Sequence, residues 1–238
     1  MKKIAITGGS GRFGTVLKKN TFFKNCYFPT KNQLNILNPK SIKRYLVSKK
    51  PKILIHLAAL SRPMNIHDRN ISQSIDLNII GTANIVKICS DLKIKLIYFS
   101  TNYVYPSTKG NYNEESSLLP INNYAWSKLG GECAAKLYKN SLILRVCMAE
   151  RPFIHKKAFA DFKTNFIFHD EVAIILKKLL NKTGIINLGG PTRTVYNFAK
   201  KYNPNVKKIS AKKKLGKKFP LNSFMNLKKL NKIISKKF

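Results

Sequence analysis

Thr7-Gly8-Gly9-Ser10-Gly11-Arg12-Phe13-Gly14, directly behind the apolar run Ile4-Ala5-Ile6, sets a glycine-rich turn between a first strand and a first helix. Gly8 and Gly9 allow the sharp turn off the strand. Gly11 lets the backbone approach a pyrophosphate, and Gly14 lets the helix pack closely on the sheet. The first N–H groups of that helix then face the phosphates. The string fits both G-x-G-x-x-G from Gly9 and T-G-x-x-G-x-x-G from Thr7, so a dinucleotide-binding α/β fold is expected.

The rest of the chain alternates in the same sense. Strands are predicted at Lys3–Thr7, Asn25–Pro29, Ile53–Ala58, Leu96–Thr101, Leu142–Cys147 and Ile185–Leu188. Helices are predicted at Arg12–Asn20, Pro39–Ser48, Ile75–Asp91, Tyr124–Lys139, Asp170–Asn181 and Val195–Tyr202. Near-continuous apolar strands in β-α alternation imply a doubly wound parallel sheet, Rossmann-like, covered on both faces. With 238 residues the chain can bury one full core or a core plus a small lobe. Residues 1–147 are expected to form the NAD(P)-binding Rossmann domain. Residues 148–238 are expected to form a small substrate-binding lobe, with 185–188 open to a return into the main sheet.

Charge is lopsided: 45 Lys and Arg stand against 10 Asp and Glu, a formal net charge of +35. Lysine is scattered with Asn and Ile throughout, as codon bias produces, so no nucleic-acid partner is expected despite the clusters from Lys207 to Lys218. No run of about eighteen apolar residues occurs, and Met1-Lys2-Lys3 leads into a strand, so neither a membrane partner nor a signal segment is expected and a cytoplasmic location follows. Cys26, Cys89, Cys133 and Cys147 form no C-x-x-C pair and fit reduced core thiols; no metal site is expected.

Chemistry is expected at Tyr124 and Lys128. At four-residue spacing on a helix the two side chains share a face, where an ammonium can lower the phenol's pKa and hold a cofactor ribose. The spacing recurs at Tyr27/Lys31, Tyr45/Lys49, Tyr105/Lys109 and Tyr196/Lys200, so context has to choose. Tyr124 alone opens a helix after a long loop that leaves the apolar strand ending at Thr101. His56, inside an apolar strand, is expected to be packed and hydrogen-bonded, and Asn78 to fix neighbouring backbone.

Several strings together carry a resemblance. Thr7–Gly14, His56-Leu57-Ala58-Ala59, Asp76-Leu77-Asn78 with Gly81-Thr82, Ser100-Thr101-Asn102-Tyr103-Val104-Tyr105, Pro120–Tyr124 with Lys128, and Leu142-Ile143-Leu144-Arg145 resemble the extended short-chain dehydrogenases/reductases. Within them the chain looks most like the dTDP-4-dehydrorhamnose reductase branch, over about residues 1–200. That resemblance implies NAD(P)H-dependent reduction of a nucleotide-linked 4-keto-6-deoxy sugar. It makes Tyr124 the general acid, Lys128 its ribose-binding partner, and Thr101 a hydrogen-bond partner of the substrate carbonyl. Gly8, Gly11, Arg12, Phe13, Gly14, Ala58 and Ala59 would line the cofactor. A nucleotide-sugar epimerase or dehydratase, and a non-catalytic dinucleotide-binding regulator, stay open as alternatives.

The chain departs from the resemblance in places. Val146-Cys147-Met148-Ala149-Glu150-Arg151-Pro152 lacks the aromatic and small turn expected after the Leu-Arg strand, and Asn102 replaces an acid. Arg62, Tyr103, Arg145, Arg151 and His169 are the candidate substrate contacts. Cofactor choice is read from charge. An acid about twenty residues after the glycines would bond a ribose 2′-hydroxyl, yet Cys26 to Asn38 holds no carboxylate, whereas Arg12 and Lys31 could meet a 2′-phosphate. NADP(H) is therefore expected in preference to NAD(H). A homodimer is left open.

Overall fold

The structure is a computed structural model in which residues 3–235 are described; Met1 and Lys2 of the expected lead into the first strand lie outside them. Five parallel strands form one sheet in the order β1 (Ile4–Thr7), β2 (Ile53–His56), β3 (Lys95–Thr101), β4 (Ser141–Val146) and β5 (Gly184–Leu188). Alternate residues of each strand feed the two faces. Ile4, Ile6, Ile53, Ile55, Ile97 and Phe99 join Leu17 of α1 (Arg12–Lys19) and, from a later helix, Val172 and Leu176. Ala5, Leu54, Leu96 and Tyr98 join Ile42 and Leu46 of α2 (Pro39–Lys49) and Ile85 of α3 (Gly81–Asp91). Such burial on both faces explains why the strands carry no polar alternation.

One expected strand is corrected. Asn25–Pro29 is reduced to a single bridge in which Tyr27 pairs with Ala5: Tyr27 N–H donates to Ile4 O and Ile6 N–H to Tyr27 O. The next donor in a parallel ladder would be residue 29, and Pro29 has no N–H. Upstream, hydrogen bonds from Phe23, Lys24 and Cys26 hold the chain in turns instead. The helix expected over Ile75–Asp91 also begins earlier: Ile71–Ile75 runs through a π-helical turn, Asp76–Ile80, into α3. π turns of this kind gather at functional sites.

Beyond β4 the chain builds smaller units. Met148–Ala149 pairs with Ile167–Phe168, Lys157–Phe159 with Lys207–Ile209, and Lys163–Thr164 with Arg193–Thr194. Phe153, Phe168 and Phe198 centre a separate apolar cluster. α4 (Asn123–Leu137), α5 (His169–Leu179) and α6 (Val195–Tyr202) complete the longer helices. Lysines 212–214 lie on the short helix Ala211–Leu215, whose start is held by Asp161: its carboxylate accepts from Ser210 Oγ at 2.5 Å and Ala211 N at 2.6 Å. Among the described residues no helix is long and apolar enough to cross a membrane. The four cysteines are free thiols, but Cys133 is exposed on α4 rather than in the core, because it points away from the sheet.

Candidate active site

The site is assembled where β1, β2 and β3 end. At the tip of β1, Gly8 takes φ +72°, and a Cβ there would lie 2.6 Å from Ala58 N, so the turn after β1 rests directly on the backbone after β2. Thr7 Oγ1 ties the same two turns, accepting from Leu57 N and Ala58 N at 3.2 Å each. A Cβ at Gly14 would collide with Gly8 O. The start of α1 has no side-chain cap, which leaves its first N–H groups to a ligand. His56 is packed as expected: Nδ1 meets Thr7 Oγ1 at 2.8 Å, Nε2 meets Thr82 Oγ1 at 3.3 Å, and burial with the nearby Lys128 charge pushes its pKa down to about 3. Ala58 and Ala59 follow it, and the π turn supplies Asn78, which clamps Leu60 from both sides, accepting from its N–H at 2.8 Å and donating to its carbonyl at 2.9 Å.

Asn78 reaches further. Its Nδ2 also donates to Ser127 Oγ at 2.8 Å, fixing α4 against the turn after β2. α4 is started by Asn122, whose side chain accepts from Ala125 N at 2.8 Å, so Tyr124 falls in the first turn. Thr101, the last residue of β3, has its hydroxyl beside the Tyr124 phenol. Burial raises the phenol's pKa above its ordinary value. The Thr101 hydroxyl and the guanidiniums of Arg12 and Arg62 pull it back.

Lys128 lies one turn along α4, only 5% exposed, with Nζ 4.3 Å from the centroid of the Tyr98 ring. Burial pushes its pKa down from 10.5 to about 7, against the pull of Glu132. A lysine with a depressed folded pKa burdens the fold most below that pKa, where the buried site must hold an ammonium. The burden is relieved as pH rises toward the unfolded value, since the unfolded chain binds more protons between the two. The ligand-free Lys128→Met variant is therefore expected to melt above the wild type at pH 6, with the gap closing toward pH 10, in paired thermal scans.

The remaining candidates divide. Arg12 turns to Glu150 (2.9 Å) and Ser61 (3.0 Å), and Arg62 meets the same Glu150 oxygen at 3.2 Å. Arg12 thus lies toward the Tyr124 side, and Lys31 is exposed after the Tyr27 bridge. Phe13 packs inward on Phe99 at 5.3 Å and on His169 at 5.5 Å. His169, half-buried at the start of α5, has its pKa lowered, by burial first, then by Arg12 and Arg62 against Glu150. The Tyr103 phenol is buried among Cys147, Tyr124 and Arg62, and burial raises its pKa.

Arg145 and Arg151 are both held in ion pairs. Arg145 is sealed in an ion pair with Glu132 (2.6 Å), each side chain 3% exposed, because the centre of a sheet offers no route to a cleft. Arg151 pairs with Asp170 at 3.3 Å and lies 3.9 Å over the Phe168 ring, both members of the pair about half exposed. Glu150 and Glu132 were not foreseen.

Comparison with known proteins gives the same architecture. The family described as RmlD substrate binding domain matches residues 1–151. Methionine adenosyltransferase 2 subunit beta of Xenopus laevis is 30% identical over 156 residues, which are 61% of this chain and 46% of that protein. The chain spans about half the length of the curated relatives it matches. A crystal structure of dTDP-4-dehydrorhamnose reductase from Bacillus anthracis str. Ames in complex with NADP superposes with TM-score 0.84 at 22% identity, covering 97% of this chain and 92% of that one. A hypothetical dTDP-4-dehydrorhamnose reductase from Sulfolobus tokodaii gives TM-score 0.82 at 25% identity, covering 99% and 96%. With the glycine turn, the parallel sheet and the Thr101, Tyr124 and Lys128 set in place, the chain belongs to the RmlD substrate binding domain family of extended short-chain dehydrogenases/reductases.

Proposed function

We propose that the protein is an NAD(P)H-dependent oxidoreductase that reduces the keto group of a nucleotide-linked 4-keto-6-deoxy sugar. One observation carries this: the half-buried Tyr124 phenol stands beside the Thr101 hydroxyl and one helical turn from Lys128, in a chain whose glycine turn leads into an uncapped helix start. The glycine turn, the N–H groups of α1 and the backbone at Ala58 and Ala59 fit a dinucleotide, and Lys128 would hold its ribose. The nicotinamide, when bound, supplies the hydride. Thr101 orients the substrate carbonyl, and Tyr124 gives its proton to the carbonyl oxygen as the alkoxide forms. Arg62 and Tyr103 stand by the same phenol, His169 stands by Arg12 and Arg62, and all three are assigned to the substrate. The two solved relatives, a dTDP-4-dehydrorhamnose reductase and a hypothetical one, support the substrate class.

The test is incubation with NADPH and a panel of nucleotide-linked 4-keto sugars, following loss of reduced cofactor and identifying the alcohol formed. No turnover across the panel defeats the proposal. A second reading, a dinucleotide-binding subunit of a larger assembly, is favoured by the relatives named as a subunit of methionine adenosyltransferase. Tight cofactor binding with no affinity for any nucleotide sugar would select it.

For the cofactor, NADPH is proposed over NADH because the stretch after the Tyr27 bridge carries exposed Lys31 and no acid. Fluorescence titration is expected to show tighter binding of NADPH. Lys31→Glu should reverse the order by repelling a 2′-phosphate and accepting a ribose hydroxyl. Equal affinities in the wild type would remove this part. A homodimer through the exposed Ile80 and Trp126, and the absence of a nucleic-acid role for the basic surface, belong to the same proposal.

A further inference from the structure

His67 lies on the helical turn Ile66–Arg69, which Asp68 ties to the start of α4 by accepting a hydrogen bond from Asn123 Nδ2 at 2.8 Å. The residue is 1% exposed, and its ring stands 5.1 Å from the Tyr124 ring, tilted by 58°. Nδ1 is occupied, 2.7 Å from Ser74 Oγ. Nε2 has no hydrogen-bond partner, and among the described residues it is the one buried side-chain nitrogen or oxygen left in that state. A buried polar atom without a partner forfeits the hydrogen bond it would make in water, and such exceptions call for a reason. Packing alone is none, since an apolar ring would fill the place without the loss.

The chemistry of the nitrogen narrows what belongs on it. Burial lowers the pKa of the imidazole against the pull of Asp68, so the ring is neutral near pH 7. Ser74 Oγ can donate to Nδ1 or accept from it, so either tautomer is available and Nε2 can accept or donate in turn. A hydroxyl, which is donor and acceptor at once, suits both. An anion would be drawn to Arg12 and Arg62 instead, the guanidiniums nearest the same phenol.

We propose that His67 Nε2 binds the ring hydroxyl next to the carbonyl that Tyr124 protonates, and so selects hydroxylated over deoxygenated sugars. This rests on the reductase function proposed above. The experiment compares kcat and KM for a dTDP-linked 4-keto-6-deoxyhexose and its 3-deoxy counterpart, with NADPH, in the wild type, His67→Phe and His67→Gln. His67→Phe is expected to raise KM for the hydroxylated sugar about tenfold or more, with kcat nearly kept and the 3-deoxy sugar unaffected, as loss of one uniform binding contact requires. His67→Gln, which keeps a polar tip, should restore part of the loss. A second readout does not depend on variants folding: the ring ¹⁵N shift of His67 Nε2 in the wild type should move on adding the hydroxylated sugar and not the 3-deoxy one. Equal effects on both sugars, or an Nε2 signal indifferent to either, overturn the assignment while leaving the reductase standing. A wild type that turns over neither sugar removes both.

Discussion

Tyr124→Phe is expected to lower kcat by about 10²–10⁴-fold, the range that a positioned general acid supplies, while cofactor affinity stays within a few-fold. The phenol's oxygen is what changes; the ring that packs against His67 is retained. Its pKa is raised by burial, so the group stays protonated through neutral pH and is ready to donate. The Thr101 hydroxyl, Arg12 and Arg62 favour the phenolate, which easing lets the proton leave as the alkoxide forms. With NADPH saturating, the rate of the wild type should therefore fall where the phenol ionises in alkali. Stopped-flow reduction with saturating NADPH gives both numbers. A near-normal rate in Tyr124→Phe would remove the site. Tyr105, another tyrosine of a Tyr-x-x-x-Lys string, could not replace it, since its hydroxyl is committed to Asn187, Arg145 and the carbonyl of Asn113 inside the core.

How much of this was legible depends on the kind of information each residue carries. The glycine turn, the apolar strands and the Asn122 start of α4 are local signals, written in neighbouring residues, and they locate Tyr124 and Lys128 at the ends of adjacent elements. The predicted strand at Asn25–Pro29 failed on a single backbone atom, the N–H that Pro29 lacks, which matters only once β1 is its neighbour. The ion pairs of Arg145 and Arg12 carry no local signal: their partners, Glu132 and Glu150, stand 13 and 138 positions away in the chain. His67 carried no local signal at all. Its meaning lies in Ser74 and Tyr124, which the helix Ile71–Ile75 and the start of α4 bring to it.

The buried pair explains where the fold is most vulnerable. Glu132 Oε1 accepts from Arg145 Nε at 3.0 Å and from Nη2 at 2.6 Å, and Glu132 Oε2 accepts from Ser100 Oγ at 2.5 Å. Arg145 Nη1 continues to Tyr105 Oη at 2.7 Å and to the carbonyl of Glu114 at 3.1 Å. The chain of contacts therefore binds β3, β4, α4 and the loop after Tyr105 through one guanidinium. Arg145→Leu leaves a carboxylate stranded in the core and is expected to cost about 3–5 kcal/mol, the usual penalty for removing one partner of a buried pair. Glu132→Leu in the same molecule removes the stranded charge, so the double variant should be more stable than Arg145→Leu alone even though it has lost more contacts. Urea midpoints with an unchanged slope measure both. Because neither side chain opens on the cleft, the folded fraction of the double variant should keep a kcat within a few-fold of wild type, whereas an arginine that bound substrate would take the rate with it. Recovery of stability without recovery of turnover would show that the pair serves the site as well, through the pull of Glu132 on Lys128 or through a contact of Arg145 with substrate.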